Sequence, residues 1–288
     1  MTISLTPIGQ FQQKMRLSDS LTEFFRTPDS NLFLNYIFRK LENVKILSLD
    51  VFDTVLMRDD KSELERFRCI SEHFYKNALA PKNTNLTIDD CLLARVHAAK
   101  VAYYCGKMVD GCIEGQLSEI AEITLDYLRL PHDLAPDWVA SELFIESQQL
   151  TPSPFVQAII EKAKETGKRV ICISDMYLNK NQISQLLNHS GATDKIEIIF
   201  SSADVILNKR SGLIFKHVEN KLRHNGSDFL HIGDSLKSDY TMAMKSGWNA
   251  VHLPIPEKAL QRRRKSHDEL AQVLSLISKR SLPIAGGS

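Results

Sequence analysis

Residues 44–54 read VKILSLDVFDT. The run VKILSL is apolar and stops at Asp50. It is too short for an ordinary helix and reads as a buried strand. From Pro154 onward the same signal repeats. Strand-like runs over 169–173 (RVICI), 196–200 (IEIIF), 229–232 (FLHI) and 250–253 (AVHL) alternate with helix-periodic stretches over 155–166, 179–189, 211–223 and 239–245. Gly167, Gly191 and Gly247 close three of these helices, Ser211 is the expected N-cap of the fourth, and Pro254 and Pro256 end the last strand. Strands alternating with helices predict an α/β fold whose parallel sheet is covered on both faces.

Between the first strand and Pro154 the chain changes character. Residues 59–153 are polar and helix-periodic, with stretches over 63–77, 89–106 and 115–128. No strand is expected there, so the segment reads as an all-helical insertion dividing a core of residues 44–58 and 154–256. Residues 1–43 read as an N-terminal helical extension. In it Leu21, Phe24, Phe25, Leu32, Phe33, Tyr36, Ile37 and Leu41 recur at helical steps around a break at Pro28, the pattern of a packing face. Residues 257–288 form a tail. Its basic run RRRK (262–265) is read as a solvated helix face, ahead of one more helical stretch over 268–277.

Composition narrows the classes. Of the 288 residues, 43% are hydrophobic and 25% charged, enough apolar sequence for a full core and unlike a disordered chain. Lys+Arg number 36 against Asp+Glu 35, so the net charge of +1 supplies no field to steer the chain onto nucleic acid or an anionic membrane. The five cysteines (Cys69, Cys91, Cys105, Cys112, Cys172) are odd in number with no CxxC pair, which argues against a disulfide framework or zinc ribbon and for a reducing, cytoplasmic setting. The N-terminus lacks the pattern of a signal peptide, and no apolar run approaches the roughly 18 residues of a membrane span.

Chemistry-bearing residues gather at the strand ends. Asp50 follows VKILSL, Ser174 follows RVICI, Gly233-Asp234 follows FLHI, and Lys209 follows IEIIF by a loop. In open α/β sheets ligands bind at the carboxyl ends of the strands, so these four segments share one edge. One such Asp means little; the set points to a site.

The set resembles the haloacid dehalogenase-like hydrolase superfamily: DxxxT as Asp50 to Thr54, strand-Ser as Ser174-Asp175-Met176, the lysine as Lys209, and GDxxxxD from Gly233-Asp234 to Asp239. Order and spacing match over about residues 44–254, and similar DVFDT and SDMYL stretches occur in a subgroup of bacterial proteins, some fused or adjacent to glycosyltransferases. The resemblance implies a Rossmann-like core, with residues 59–153 as the superfamily's first type of cap. It also implies a Mg²⁺-dependent phosphohydrolase acting on a small phosphorylated metabolite, a sugar phosphate among the candidates. A phosphate monoester dianion repels an attacking carboxylate, and Mg²⁺, held by hard oxygen ligands, offsets that charge. By resemblance Asp50 is the nucleophile that forms an aspartyl-phosphate, Ser174 bonds a transferring oxygen, and Lys209 neutralises charge. The implied metal set is Asp50, the carbonyl of Phe52, Asp234 and Asp239, the last either reaching a metal-bound water or orienting Lys209. Thr54 stabilises the turn after Asp50 and, with Arg58 and Asp175, is offered to the substrate. Lys100, Tyr103, Tyr104 and Lys107 are further polar groups of the insertion.

Each position has a plainer reading. Ser174, Asp175 and Asp239 are residue types that cap helices or fill turns, and Arg210 competes with Lys209 for the cationic role where Asn208 does not. The pattern also departs at Phe52. Phosphatases of the superfamily carry Asp there to move the leaving-group proton, and Phe cannot. Dehalogenases carry an aromatic residue there but lack the Gly-Asp motif. Asp53 then either takes over the proton transfer or serves the turn through local N–H groups. Otherwise the substrates have good leaving groups, or the chain is a non-catalytic phosphate-binding scaffold; a haloacid dehalogenase is the remaining alternative.

Overall fold

The computed structural model describes residues 7–82, 84–192 and 195–281, with side chains of the last helix through 276. In chain order they form α1 (Pro7–Leu17), α2 (Leu21–Phe25), α3 (Pro28–Glu42), β1 (Ile46–Leu49), β2 (Leu56–Arg58), α4 (Glu63–Phe74), α5 (Ile88–Cys105), β3 (Met108–Val109), β4 (Cys112–Ile113), α6 (Leu117–Leu128), α7 (Ala135–Gln149) and β5 (Leu150–Pro152). There follow α8 (Pro154–Glu165), β6 (Arg169–Ser174), α9 (Lys180–His189), β7 (Ile198–Ser201), α10 (Ser202–Val205), α11 (Leu213–Leu222), β8 (Phe229–Gly233), α12 (Met242–Lys245), β9 (Asn249–His252) and α13 (Glu257–Ser281).

β1 is buried at all four positions because it is the central strand of a five-stranded sheet in the order β7-β6-β1-β8-β9. Every pairing is parallel. Parallel sheets are covered on both faces, which is why VKILSL reads as an unbroken apolar run. The register sets Leu49 beside both Cys172 of β6 and Ile232 of β8. Asp50, Ser174 and Gly233 therefore emerge together at the carboxyl edge. The chain passes from β1 to β6 and β7 on one side, then returns to β8 and β9 on the other. The site edge thus coincides with the topological switch point, where the strands splay a crevice.

Ile46, Ile171, Ile173, Phe229 and Trp248 form one core with Ile214, Phe215 and Val218 of α11. Trp248 stacks on Phe229 at 3.9 Å between centroids, and its Nε1–H donates to Glu219 Oε1 at 2.9 Å. The N-terminal stripe packs as expected: Phe24, Phe33, Ile37 and Leu41 are buried, Phe25 stacks on Phe155 of α8 at 4.8 Å, and only Leu32 of the stripe is strongly exposed. Each fully buried Phe contributes about 1.5–3 kcal/mol by leaving water.

The chain divides into two units. The first holds the described residues of Met1–Asp59, Lys107–Gln116 and Gln149–Leu260; the second holds those of Asp60–Gly106, Leu117–Gln148 and Gln261–Ser288. The second is helical and is organised around Arg95. Its guanidinium is fully buried, lies over the Phe67 ring at 4.0 Å, and donates to both oxygens of Glu142 at 3.0 and 2.6 Å. Trp138 Nε1–H donates to the same carboxylate at 3.3 Å.

Several expectations need correction. Residues 59–153 are not free of strands: β3 and β4 make a hairpin, and β5 pairs antiparallel with β2. Two-residue arms are too short to show a period. Ser211 is not at the N-cap position of α11, which Gly212 takes at φ 85°; from one place earlier its hydroxyl still accepts the Leu213 N–H at 3.2 Å and donates to the carbonyl of Asn208. The helix expected over 239–245 starts earlier, as a wide π-type turn over Leu236–Thr241 capped by Ser235, so Asp239 is not its cap. The basic run lies on α13, where Arg262 pairs with Asp60 at 2.8 Å and Lys265 approaches Glu269. None of the five cysteines is in a disulfide, and no described helix is long and apolar enough to cross a membrane.

Candidate active site

The edge of β1 delivers Asp50, whose N–H is held by the Ile232 carbonyl at 2.9 Å, fixing the backbone before the turn. The turn that follows is closed by backbone bonds from Leu56 N–H to Val51 and from Asp53 N–H to Leu56. Asp53 sits there at φ 57°, a left-handed conformation that Asp tolerates better than most residues, and its Oδ1 accepts the Arg58 N–H at 3.3 Å. Thr54 is buried, and its hydroxyl makes no hydrogen bond with the protein, so the turn is not held through that group. Phe52 is buried under the Arg58 guanidinium, which lies 4.5 Å from the ring centroid and reaches Met176 Sδ at 3.4 Å.

Lys209 is the cation of the site. Its Nζ lies 2.5 Å from Asp50 Oδ1 and 2.6 Å from Asp239 Oδ1, at 3% side-chain exposure. Arg210 points elsewhere, with 63% of its side chain exposed. Both carboxylate oxygens of Asp175 accept the Lys209 backbone N–H, at 2.9 and 2.8 Å. Asp175 therefore braces the lysine loop and does not merely fill its own turn. Ser174 is buried at the end of β6; the next helix is capped by Asn179, not by Ser174.

Asp239 is tied at both oxygens. Oδ1 takes Lys209 and, at 3.2 Å, His231 Nε2, while Oδ2 accepts the Ser235 N–H at 2.9 Å. His231, inside β8, is fully buried, and burial lowers its basicity so the ring is neutral. Nε2–H then donates to Asp239, which leaves Nδ1 to accept the Ser48 hydroxyl at 2.8 Å. His231 was not singled out from the sequence, because a His in a strand core carries no signal of its own. Gly233 is required by the same packing: a Cβ there would stand 2.4 Å from Asp239 Cγ. Gly233→Ala is expected to displace that carboxylate and lower stability by about 1–3 kcal/mol, read as an earlier urea midpoint; an unchanged midpoint would refute the contact.

Asp50, Asp234 and Asp239 each offer an oxygen within 4.8 Å of the others. Asp234 is held by its own backbone, whose carbonyl accepts from His252 Nε2 at 2.7 Å. Burial, then the charges of Asp50, Asp239 and Asp53, push the Asp234 carboxyl well above the usual range. Burial likewise takes Asp50 up to about 7 against the pull of Lys209, and Asp175 up to about 6. Burial alone would raise Asp239 too, but Lys209 and His231 outweigh it and hold that carboxyl low. Burial would lower Lys209; Asp239, Asp50 and Asp175 together keep it charged. Were all three ionised, three carboxylates around one ammonium would leave a surplus of two negative charges. Protons can relieve it, the direction in which burial pushes Asp50 and Asp234, and so can one divalent cation. The all-oxygen donor set suits a hard dication such as Mg²⁺.

Lys100, Tyr103 and Tyr104 lie on α5 of the helical unit, Tyr104 at 80% exposure.

The model of the haloacid dehalogenase-like hydrolase family matches residues 44–247. Among solved structures, a 2-haloacid dehalogenase from Pseudomonas syringae is similar at 14% identity and a TM-score of 0.51, covering 73% of this chain and 86% of that one. A HAD phosphatase from Thermococcus onnurineus is similar at 17% identity and a TM-score of 0.48, with 73% and 86% covered. The likeness to the first, at that identity, speaks to the fold alone. No curated protein matches the chain.

Proposed function

The chain belongs to the haloacid dehalogenase-like hydrolases, and from that premise we propose that it is a Mg²⁺-dependent phosphohydrolase of a small phosphorylated metabolite. The observation that carries this reading is the cluster of three carboxyls, Asp50, Asp234 and Asp239, whose oxygens lie within 4.8 Å of one another beside a single Lys209. A carbon-attacking dehalogenase has no use for Asp234 in such a cluster. In this reading the inserted helices correspond to the family's cap.

Asp50, the Phe52 carbonyl and Asp234 would hold the cation; Asp239, with both oxygens already engaged, fixes Lys209 and reaches the cation at most through water. When bound, Mg²⁺ offsets the charge of the phosphoryl dianion. The chain's own groups do the rest. Asp50, its approach fixed by β1, attacks phosphorus as the P–O bond to the leaving group breaks. That group departs with the bonding pair, taking its proton from water where it needs one. Water then attacks the aspartyl-phosphate at phosphorus, releasing inorganic phosphate and restoring the Asp50 carboxylate. Lys209 neutralises charge on the carboxylate and on the phosphoryl oxygens. Ser174 donates to a phosphoryl oxygen from the adjoining strand end.

Proton delivery is where this site differs from the phosphatase pattern. Phe52 cannot donate, and one Asp53 oxygen already holds the Arg58 N–H. General acid catalysis supplies about 10²–10⁴-fold. The proposed substrates are therefore those whose leaving group needs little protonation, such as acyl or anomeric phosphates.

The test is phosphate release from acetyl phosphate, p-nitrophenyl phosphate and sugar phosphates, with Mg²⁺ and with EDTA. Release that needs Mg²⁺ and falls steeply toward alkyl phosphates is expected. Turnover surviving EDTA would overturn the proposal. No turnover of any ester alongside measurable Mg²⁺ binding would favour a phosphate-binding scaffold instead. Binding is read independently by heat. Mg²⁺ at about a hundred times its Kd stabilises the fold by about 2.7 kcal/mol, a rise in Tm of about 5–10 °C. Asp234→Asn is expected to lose most of that rise, and an undiminished rise would remove Asp234 from the metal set.

A further inference from the structure

The reaction as drawn makes no use of Glu114, yet this carboxylate is 5% exposed and sits in the first unit beside the lysine loop. It follows the β3–β4 hairpin, whose Asp110-Gly111 turn has positive φ at both residues. The Glu114 Oε1 accepts Asn208 Nδ2–H at 2.7 Å, and Asn208 is itself buried. The other end of that carboxamide, Oδ1, accepts the Ser211 N–H at 2.7 Å. Two more contacts come from the same segment: Cys112 Sγ meets Ser211 Oγ at 3.3 Å, and Gln116 Nε2 donates to the Ala203 carbonyl at 3.0 Å. Arg210, the nearest cation to Glu114, stands 4.0 Å away and is exposed at its head.

A buried carboxylate is costly, and an apolar side chain would fill the same space without that cost. What an apolar residue cannot do is grip the amide of Asn208. The turn over residues 208–212 carries Lys209 between two anchored points: its N–H bound by Asp175, and the Ser211 N–H bound by Asn208. Asp50 and Asp239 hold the ammonium at its head, but the stem behind it is flexible, so the backbone turn sets where that stem starts and how Nζ reaches the two carboxylates. We infer that Glu114, acting through Asn208, is a positioning residue for Lys209, so that the hairpin inside the insertion completes the catalytic edge of the sheet. The inference rests on the proposed role of Lys209 in phosphoryl transfer.

The experiment compares Glu114→Ala, Glu114→Gln, Asn208→Ala and the Glu114→Ala/Asn208→Ala double variant with wild type. Two readouts are used: p-nitrophenyl phosphate turnover with Mg²⁺, and amide hydrogen exchange over residues 207–212. Groups that orient a metal ligand from behind are worth about 10–100-fold, and Glu114 and Asn208, which act on Lys209 through its backbone turn, are set at the low end of that scale. Glu114→Ala and Asn208→Ala are each expected to lower kcat by about tenfold or more, with KM little changed, and the double variant is no worse than either single. Glu114→Gln, which keeps an oxygen for the Asn208 amide, is expected to stay near wild type. Amides over 207–212 exchange faster in the Ala variants only. Wild-type kcat in Glu114→Ala, additive losses, a Gln variant as poor as Ala, or unchanged exchange would each overturn the inference. If wild type turns over no phosphate ester, the proposed function fails, and the exchange comparison still decides the inference by itself.

Discussion

Asp50→Asn is expected to lower turnover by a factor on the order of 10⁶, the scale measured when a protease loses its attacking side chain. The carboxamide keeps the shape of the side chain, and β1 keeps its place, but the nucleophilic oxygen is gone. The loss should fall on kcat. The fold should not suffer. In the metal-free protein burial pushes the Asp50 carboxyl up from 3.8 to about 7, so ionising Asp50 is harder in the folded state than in the unfolded one. The sign follows: an acid whose folded pKa is raised loses stability as pH rises from about 4 through 7. Asn cannot ionise, so the metal-free variant is expected to melt no earlier than wild type at pH 8, by calorimetry in EDTA. Residual turnover within tenfold of wild type would mean that Asp50 is not the nucleophile.

The second large effect is on stability and lies in the helical unit. Glu142→Ala leaves Arg95 buried without its bidentate partner and also strips the acceptor from Trp138. Breaking a buried pair from one side costs about 3–5 kcal/mol. For a chain of this size each kcal/mol moves Tm by about 2–4 °C, so a fall of about 6–20 °C is expected by circular dichroism. Replacing both partners together, as Arg95→Met/Glu142→Leu, removes the charges as a pair and should recover most of the loss. A double variant no better than Glu142→Ala would show that the rest of the Arg95 surroundings, and not the ion pair, carries the stability.

Much of this is legible in the sequence alone. The strand at VKILSL, the alternation after Pro154 and the four strand ends follow from period and order alone, and they place Asp50, Ser174, Lys209 and Asp234 at one edge. Lys209 over Arg210 was readable only as a choice between neighbours; burial between Asp50 and Asp239 makes it. The hairpin at residues 108–113 was missed although its signal is present: Asp110-Gly111 between apolar pairs is a two-residue turn of the kind that favours hairpins. The helical period of the flanking stretches hid it. Arg95 and Glu142 lie 47 positions apart, and nothing in a single sequence says that two such charges meet in a core. Ser48 and His231 were hidden for a similar reason, since polar residues inside apolar strands pair only once the register is known.

The hairpin bears on how such chains can be recombined. Family members are natural donors for chimeras in which one insertion is exchanged for another at fixed junctions. Cutting here near residues 59 and 153 would carry off Cys112, Glu114 and Gln116, which pack with the parent half. A graft of that kind would arrive with its new specificity and a lysine turn held by Asp175 without its Glu114 anchor. Junctions drawn as two exchanges, 60–106 and 117–148, would spare the ten residues between them, so the modular unit of this enzyme is discontinuous in its own insertion.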